Sequence, residues 1–117
     1  MNSEPEVWKN AISSRFQDAV LDLSVSNLGN IKKIATGKLF KPHPKDGYLC
    51  IKRPYNGVIK TIYVHHIVIE TFIGKRPPNL AVDHIDGNKR NNNANNLQYL
   101  SNLENSRKGG IKKKKEG

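Results

Sequence analysis

Cysteine and acidic residues are scarce in this 117-residue chain, and each scarcity excludes something. A single thiol, Cys50, closes no internal disulfide and builds no multi-cysteine zinc cage, so nothing demands an oxidising compartment. No apolar run approaches the roughly 20 residues of a membrane span. The N-terminus MNSEPEVWKN lacks the basic-then-apolar order of a signal peptide, and the chain reads as cytosolic. Solenoid repeats, a Gly-rich phosphate loop, a Ser-nucleophile motif and a cysteine zinc spacing are all missing. Acids are outnumbered, 10 Asp and Glu against 20 Lys and Arg, for a formal charge of +10. So strong a positive field in so small a protein draws polyanions, with nucleic acid the first partner class and an anionic membrane surface the second.

What is present predicts short strands with few helices. Trp8, the single tryptophan, reads as a packing anchor at the core edge, and residues 12–19 as a short helix or a loop. Leu21, Leu23 and Val25 alternate with polar residues, which predicts a half-buried strand. Asn27 to Asn30 then turns the chain into a second strand over 31–34. Pro42 to Gly47 reads as a surface loop. Residues 48–53 and 58–64 alternate around Pro54-Tyr55-Asn56-Gly57 and predict a hairpin. His65 to Ile73 shifts to helical spacing and stops at Gly74. His65 and His66 project about 100° apart on a helix, which suits structural roles better than joint chelation.

The chain's unusual chemistry lies in AVDHIDGNKRNNNANNLQYLSNLENSRK, residues 81–108. A strand over 80–82 delivers Asp83 and His84 at its end, a loop holds asparagines at 91, 92, 93, 95 and 96, and a second strand covers 97–100. Ser101 and Glu104 have capping-box spacing, so a helix begins there with Asn105 one turn in. Such a unit gathers Asp83, His84 and Asn105 at one small cleft. Phosphodiester hydrolysis needs a base for water and positive charge for the oxyanion. His84 suits the first near neutral pH. Asp83 and Asn105 offer oxygen donors for a hard cation, Mg²⁺ or Mn²⁺. Asn96 is placed to hold the imidazole by a hydrogen bond, while Asp86, Gly87 and the remaining asparagines shape the loop.

These residues resemble the motif of HNH endonucleases, the His-Me finger or ββα-metal class, and in particular the phage and intron homing type. The resemblance implies His84 and Asn96 as the catalytic pair, with His84 the general base, and Asp83 and Asn105 as ligands of one divalent metal. Asn105 stands where many members have His. Upstream, Glu6 to Lys9, Val25 to Ile31 and Gly47-Tyr48 resemble the DNA-binding module that often precedes this nuclease, here with a longer SSRFQDAVLDL segment.

The expectation is an α+β protein with a small antiparallel β-rich N-terminal part packed on a C-terminal ββα-metal nuclease core. It comprises a DNA-binding module over 1–63, the core over 64–110 and a basic, unfolded tail over 111–117. Candidate phosphate contacts are Lys32, Lys33, Lys52, Arg53, Lys60, Lys75, Arg76, Lys89, Arg90, Arg107 and Lys108. The implied activity is strand nicking of double-stranded DNA in a host cell by a phage- or mobile-element-encoded enzyme. A double-strand break would need a dimer or two sequential events. Without the C-terminal helical module of larger relatives, weaker or shorter sequence specificity is expected, or dependence on a homodimer or a partner protein. The competing class is an inactive DNA-binding protein derived from such an element; an RNA-binding protein has only the charge in its favour.

Overall fold

The alternating segments do become strands, in three small antiparallel sheets. The computed structural model describes residues 4–101, 103 and 104. Among them, β1 (Trp8–Asn10), β2 (Leu23–Ser26) and β3 (Ile31–Lys33) form the first sheet, in that order. β4 (His43–Lys45), β5 (Tyr48–Tyr55) and β6 (Val58–Tyr63) form the second, and β7 (Leu80–His84) pairs with β8 (Leu97–Ser101). Two α-helices, α1 (Gln17–Val20) and α2 (Val64–Phe72), and a short 3-10 helix (Ala94–Asn96) give an α+β arrangement.

The β5–β6 hairpin closes more tightly than its sequence suggests. Asn56 and Gly57 both take positive φ, 51° and 81°, and Pro54 lies within the ladder opposite Ile59. This is the two-residue turn that Asn-Gly favours, because its twist matches that of the strands. The loop expected over 42–47 is overturned. Residues 43–45 are a strand, joined to β5 through Asp46 (φ 55°) and Gly47 (φ 85°). Pro44 is tolerated because β4 is an edge strand, where a missing N–H can face away from the sheet.

β2 departs from simple alternation too. Leu21 is exposed, and all four β2 residues are buried, Ser24 and Ser26 included. A central strand covered on both faces has no solvent side for its polar residues, so each serine needs an internal partner. Ser24 Oγ donates to the Lys9 carbonyl (3.1 Å), and Ser26 Oγ accepts from the backbone N–H groups of Leu28 (3.2 Å) and Asn30 (3.1 Å). The second serine thereby fixes the turn that follows it.

α2 is the floor on which the sheets meet. Val64, Ile67, Val68 and Ile69 are fully buried, in one cluster with Leu23, Val25 and Ile31 from the first sheet, Ile51 and Ile62 from the second, and Ala94 and Leu97 beside the third. A helix buried around most of its circumference is a core helix. Its C-terminus is tied down from β8, where Tyr99 Oη donates to the Gly74 carbonyl at 2.7 Å. Burial, with the negative charge of Glu70, pushes the Tyr99 phenol up to about 12.

Since Ile67 has no exposed surface, Ile67→Ala is expected to cost roughly 2–5 kcal/mol of stability. Urea unfolding should show a lowered midpoint with the slope unchanged.

Candidate active site

Asp83 and His84 end β7, paired with Gln98 and Leu97 of β8. Adjacent strand residues face opposite sides, and the partners divide accordingly. Gln98 Nε2 donates to Asp83 Oδ2 at 2.9 Å. A neutral amide orients the carboxylate without neutralising it. The His84 ring lies in a nest of rings on the other side, 5.0 Å from His65 and 5.9 Å from Tyr48, centroid to centroid. Both Asp83 and His84 are buried, at 8% and 6% exposure.

The imidazole is held by Asn92 rather than by Asn96. His84 Nε2 lies 2.9 Å from Asn92 Oδ1, a buried contact. Facing a carbonyl oxygen, Nε2 must carry the proton, so the lone pair belongs to Nδ1. The hydrogen bond expected from Asn96 does not form, because that side chain is spent on the loop. Asn96 Nδ2 donates to Asp86 Oδ1 and to the Asn91 carbonyl (2.9 Å each), while Asn96 Oδ1 accepts from the Asp86 N–H (3.0 Å). Its backbone carbonyl also receives the N–H of Ile85, the residue after the imidazole (2.8 Å). Asn96 therefore fixes the chain leaving His84, not the ring.

Asp86 is the loop's hub. It accepts from Asn91 Nδ2 (2.9 Å), the Asn88 N–H (2.8 Å) and Asn96 Nδ2. These bonds to its charged form, led by that from Asn91, hold its pKa down to about 2. The turn-shaping role expected of Asp86 and Gly87 is what the geometry displays, with Gly87 at φ 79° and its N–H on the His84 carbonyl (2.8 Å).

The loop leans on the N-terminal part of the chain. Asn93 and Asn95 donate to the two carboxylate oxygens of Glu4 (2.7 and 2.6 Å), and the Ala94 N–H donates to the Asn27 carbonyl (2.8 Å). Gly29, at φ 93°, lies so close that a Cβ there would meet Asn92 Cβ and carbonyl oxygen at 3.1 Å. The turn held by Ser26 is thus the backstop of the asparagine that grips His84.

His65 and His66 play the structural parts their spacing suggests. His65 is buried against Tyr48, Tyr63, His66 and His84, and its Nδ1 has no hydrogen-bond partner. Desolvation, with the neighbouring imidazoles of His66 and His84, pushes its pKa down to about 3.

Among the described residues no group of three or more His, Cys, Asp or Glu side chains comes together to hold a metal. Asp83 supplies one carboxylate, and Asn105, the second ligand expected from the sequence, lies outside the described residues. That oxygen donor set fits a hard divalent ion that completes its shell with water and phosphate. The capping box before Asn105 does form: the Glu104 N–H donates to Ser101 Oγ (3.1 Å) and the Ser101 N–H to Glu104 Oε1 (3.0 Å).

The expected phosphate contacts sort into spent and available cations. Arg53 is spent: Nε donates to the Ala19 carbonyl (3.0 Å), and one terminal nitrogen reaches both Asp22 carboxylate oxygens (2.6 and 2.7 Å). It ties α1 to the β5–β6 hairpin, a correction to its reading as a DNA contact. Lys32 lies 4.0 Å over the Trp8 ring, a cation–π contact. Lys33, Lys52, Lys60, Lys75, Arg76 and Arg90 are exposed, and Arg107 and Lys108 lie outside the described residues. Lys89 Nζ stands 4.8 Å over Tyr48, whose ring neighbours His84, so a cation sits at the lip of the site.

Asn92 was missed because five asparagines in six positions look alike in sequence. A signal was present: Ala94 is the one apolar residue of that stretch and marks its inward side, and Asn92 is two residues before it. Both are buried.

Comparison with known proteins finds matches of one family. Residues 62–107 match the family model described as HNH endonuclease. The chain is 42% identical over 78 residues to DNA endonuclease I-HmuI of Bacillus phage SP01, covering 66% of this chain and 45% of that one. It is 32% identical over 87 residues to H-N-H endonuclease F-TflI of Escherichia phage T5, covering 72% and 45%. An uncharacterised HNH endonuclease of Acanthamoeba polyphaga mimivirus is 39% identical over 77 residues, 66% of this chain and 23% of that one. The chain thus spans less than half the length of these curated relatives. A solved structure titled "DNA binding and cleavage by the HNH homing endonuclease I-HmuI" superposes with a TM-score of 0.70 at 36% identity, covering 89% of this chain and 59% of that one.

Two outcomes test the packing around His84. Gly29→Ala forces a side chain against Asn92 at a positive φ, and should cost about 1 kcal/mol or more while shifting the imidazole resonances of His84 by NMR. His65 is neutral when folded but titrates near 6.5 when unfolded. The unfolded state therefore binds the extra proton below that pH, and stability falls from about pH 6.5 toward 3, by at most about 1.4 kcal/mol per pH unit. Urea midpoints of wild type should drop between pH 7 and 4.5, and His65→Phe should flatten the decline.

Proposed function

We propose that this chain, which belongs to the HNH endonuclease family, is a divalent-metal-dependent DNA endonuclease that nicks one strand, with His84 as general base. The observation that carries the reading is a buried imidazole beside a buried carboxylate at the end of β7, with Nε2 turned to Asn92 Oδ1. The family match over that segment supports it.

Asn92 holds the ring so that Nδ1 accepts a proton from water. The water oxygen bonds to phosphorus, the P–O bond to the leaving oxygen breaks with its electron pair on that oxygen, which takes a proton from solvent, and the water's proton rests on Nδ1. Asn92 Oδ1 continues to accept from Nε2–H, a bond that strengthens as the imidazole becomes cationic. Asp83 and Asn105 would hold the cation, which when bound supplies positive charge to the scissile phosphate and leaving oxygen. Lys89, steadied over Tyr48, adds a second positive charge beside the base. Tyr48, His65 and Leu97 exclude bulk water from the far side of the ring. A single base and a single metal position serve one strand at a time, hence nicking.

Supercoiled plasmid with Mg²⁺ or Mn²⁺ should convert to open circles, and chelator should stop the reaction. His84→Ala should lower the rate by about 10²–10⁴ while still shifting DNA in a gel. If both proteins shift the plasmid and leave it uncut, the nuclease reading fails and a binding role replaces it.

A further inference from the structure

Two clefts beside α2 share the walls Arg15, His66 and Glu70. One, of about 90 Å³, runs past Arg76 to Val82 and Tyr99 on the third sheet. The other, of about 240 Å³, runs past Lys60 to Tyr63 on β6. Together they make one groove with Arg76 at one end, Arg15 in the middle and Lys60 at the other.

We propose that this groove is a docking track for the sugar-phosphate backbone of DNA next to the cut position, with Arg15 and Arg76 each taking a phosphodiester oxygen. The proposal rests on the DNA-cleaving reading and adds its second contact surface.

Three observations carry it. First, these arginines are available. Among the described residues neither guanidinium has an ion-pair or hydrogen-bond partner, and Arg15 only lies 5.1 Å over the Phe16 ring. Arg53, by contrast, is held by Ala19 and Asp22 at 13% side-chain exposure. An unpaired planar fork lining a cleft suits a phosphate, which it can meet with two parallel N–H donors.

Second, the one acid in the groove is occupied. Both Glu70 carboxylate oxygens accept from Ser14, one from its N–H (3.1 Å) and one from its Oγ (2.5 Å). With Lys60 included, three cations face one engaged carboxylate, and the groove remains net positive. Both guanidinium groups line the smaller cleft, and the His66 pKa is lowered first by desolvation, then by Arg76 against the opposing charge of Glu70, and more weakly by Arg15.

Third, the groove adjoins the catalytic strand. Val82, in its wall, precedes His84 by two residues and so shares its face of β7. The His66 ring is 4.5 Å from that of His65, which is 5.0 Å from that of His84. A backbone lying in the groove would therefore be separated from the base by two side chains, His66 and His65. Lys60 and Arg76 are among the phosphate contacts expected from the sequence; Arg15 is not, because it lies in residues 12–19, which read as either a short helix or a loop.

The test is the salt dependence of binding by the intact chain to a 30-base-pair duplex of arbitrary sequence, in chelator so that nothing is cut. Each phosphate contact contributes about 0.9 to the slope of log K against log salt. Arg15→Gln with Arg76→Gln should reduce the slope by about 2, and Arg15→Lys with Arg76→Lys should keep it. Circular dichroism melts check that the variants fold, and either single Gln variant, expected to lose about 1, serves if the double does not. A folded Gln variant with the wild-type slope overturns the groove alone. Wild type that binds no duplex overturns both this proposal and the nuclease reading. A reduced slope in a protein that cuts no plasmid keeps the groove and removes only the nuclease.

Discussion

The site depends on one buried hydrogen bond, between His84 Nε2 and Asn92 Oδ1. A strand end delivers an imidazole to a region but does not choose its rotation or its tautomer. The carbonyl of Asn92 does both, since it can only accept and so obliges Nε2 to donate. In a dry environment such a bond is strong when made and costly when broken. The second amide atom of Asn92, Nδ2, is buried without a partner, which is a cost the fold carries to keep that side chain where it is.

That bond is secured by elements far apart in the chain. Gly29 touches Asn92, the Asn27 carbonyl takes the Ala94 N–H, and Glu4 receives two of the loop asparagines. The N-terminal sheet is therefore a support for the asparagine loop that holds His84. α2 links the two from below, with its apolar side chains in the common core. Its His65 supplies a neutral ring against His84 that burial keeps uncharged.

The positive charge of the chain is likewise divided by the fold. Arg53 is consumed by Asp22, Lys32 lies over Trp8 and Lys89 over Tyr48, while Arg15 and Arg76 line a groove unpaired. Composition counts these residues as equal. Only their partners separate a structural tie from an available phosphate contact.

By itself the sequence determined the elements whose cause is local. The Asn56-Gly57 hairpin, α2 ending at Gly74, the strand before Asp83 and His84, and the Ser101–Glu104 capping box all follow from turn chemistry, periodicity and capping over a few residues. Tertiary structure decided what needs contacts across long separations. It made His43–Lys45 an edge strand, because pairing with β5 outweighed the reluctance of Pro44. It buried both faces of β2, where the serines that alternation assigned to solvent find partners inside the fold. And it chose Asn92 over Asn96 for the imidazole, because five chemically identical amides are told apart only by which of them the core, through Gly29 and Ala94, pulls inward.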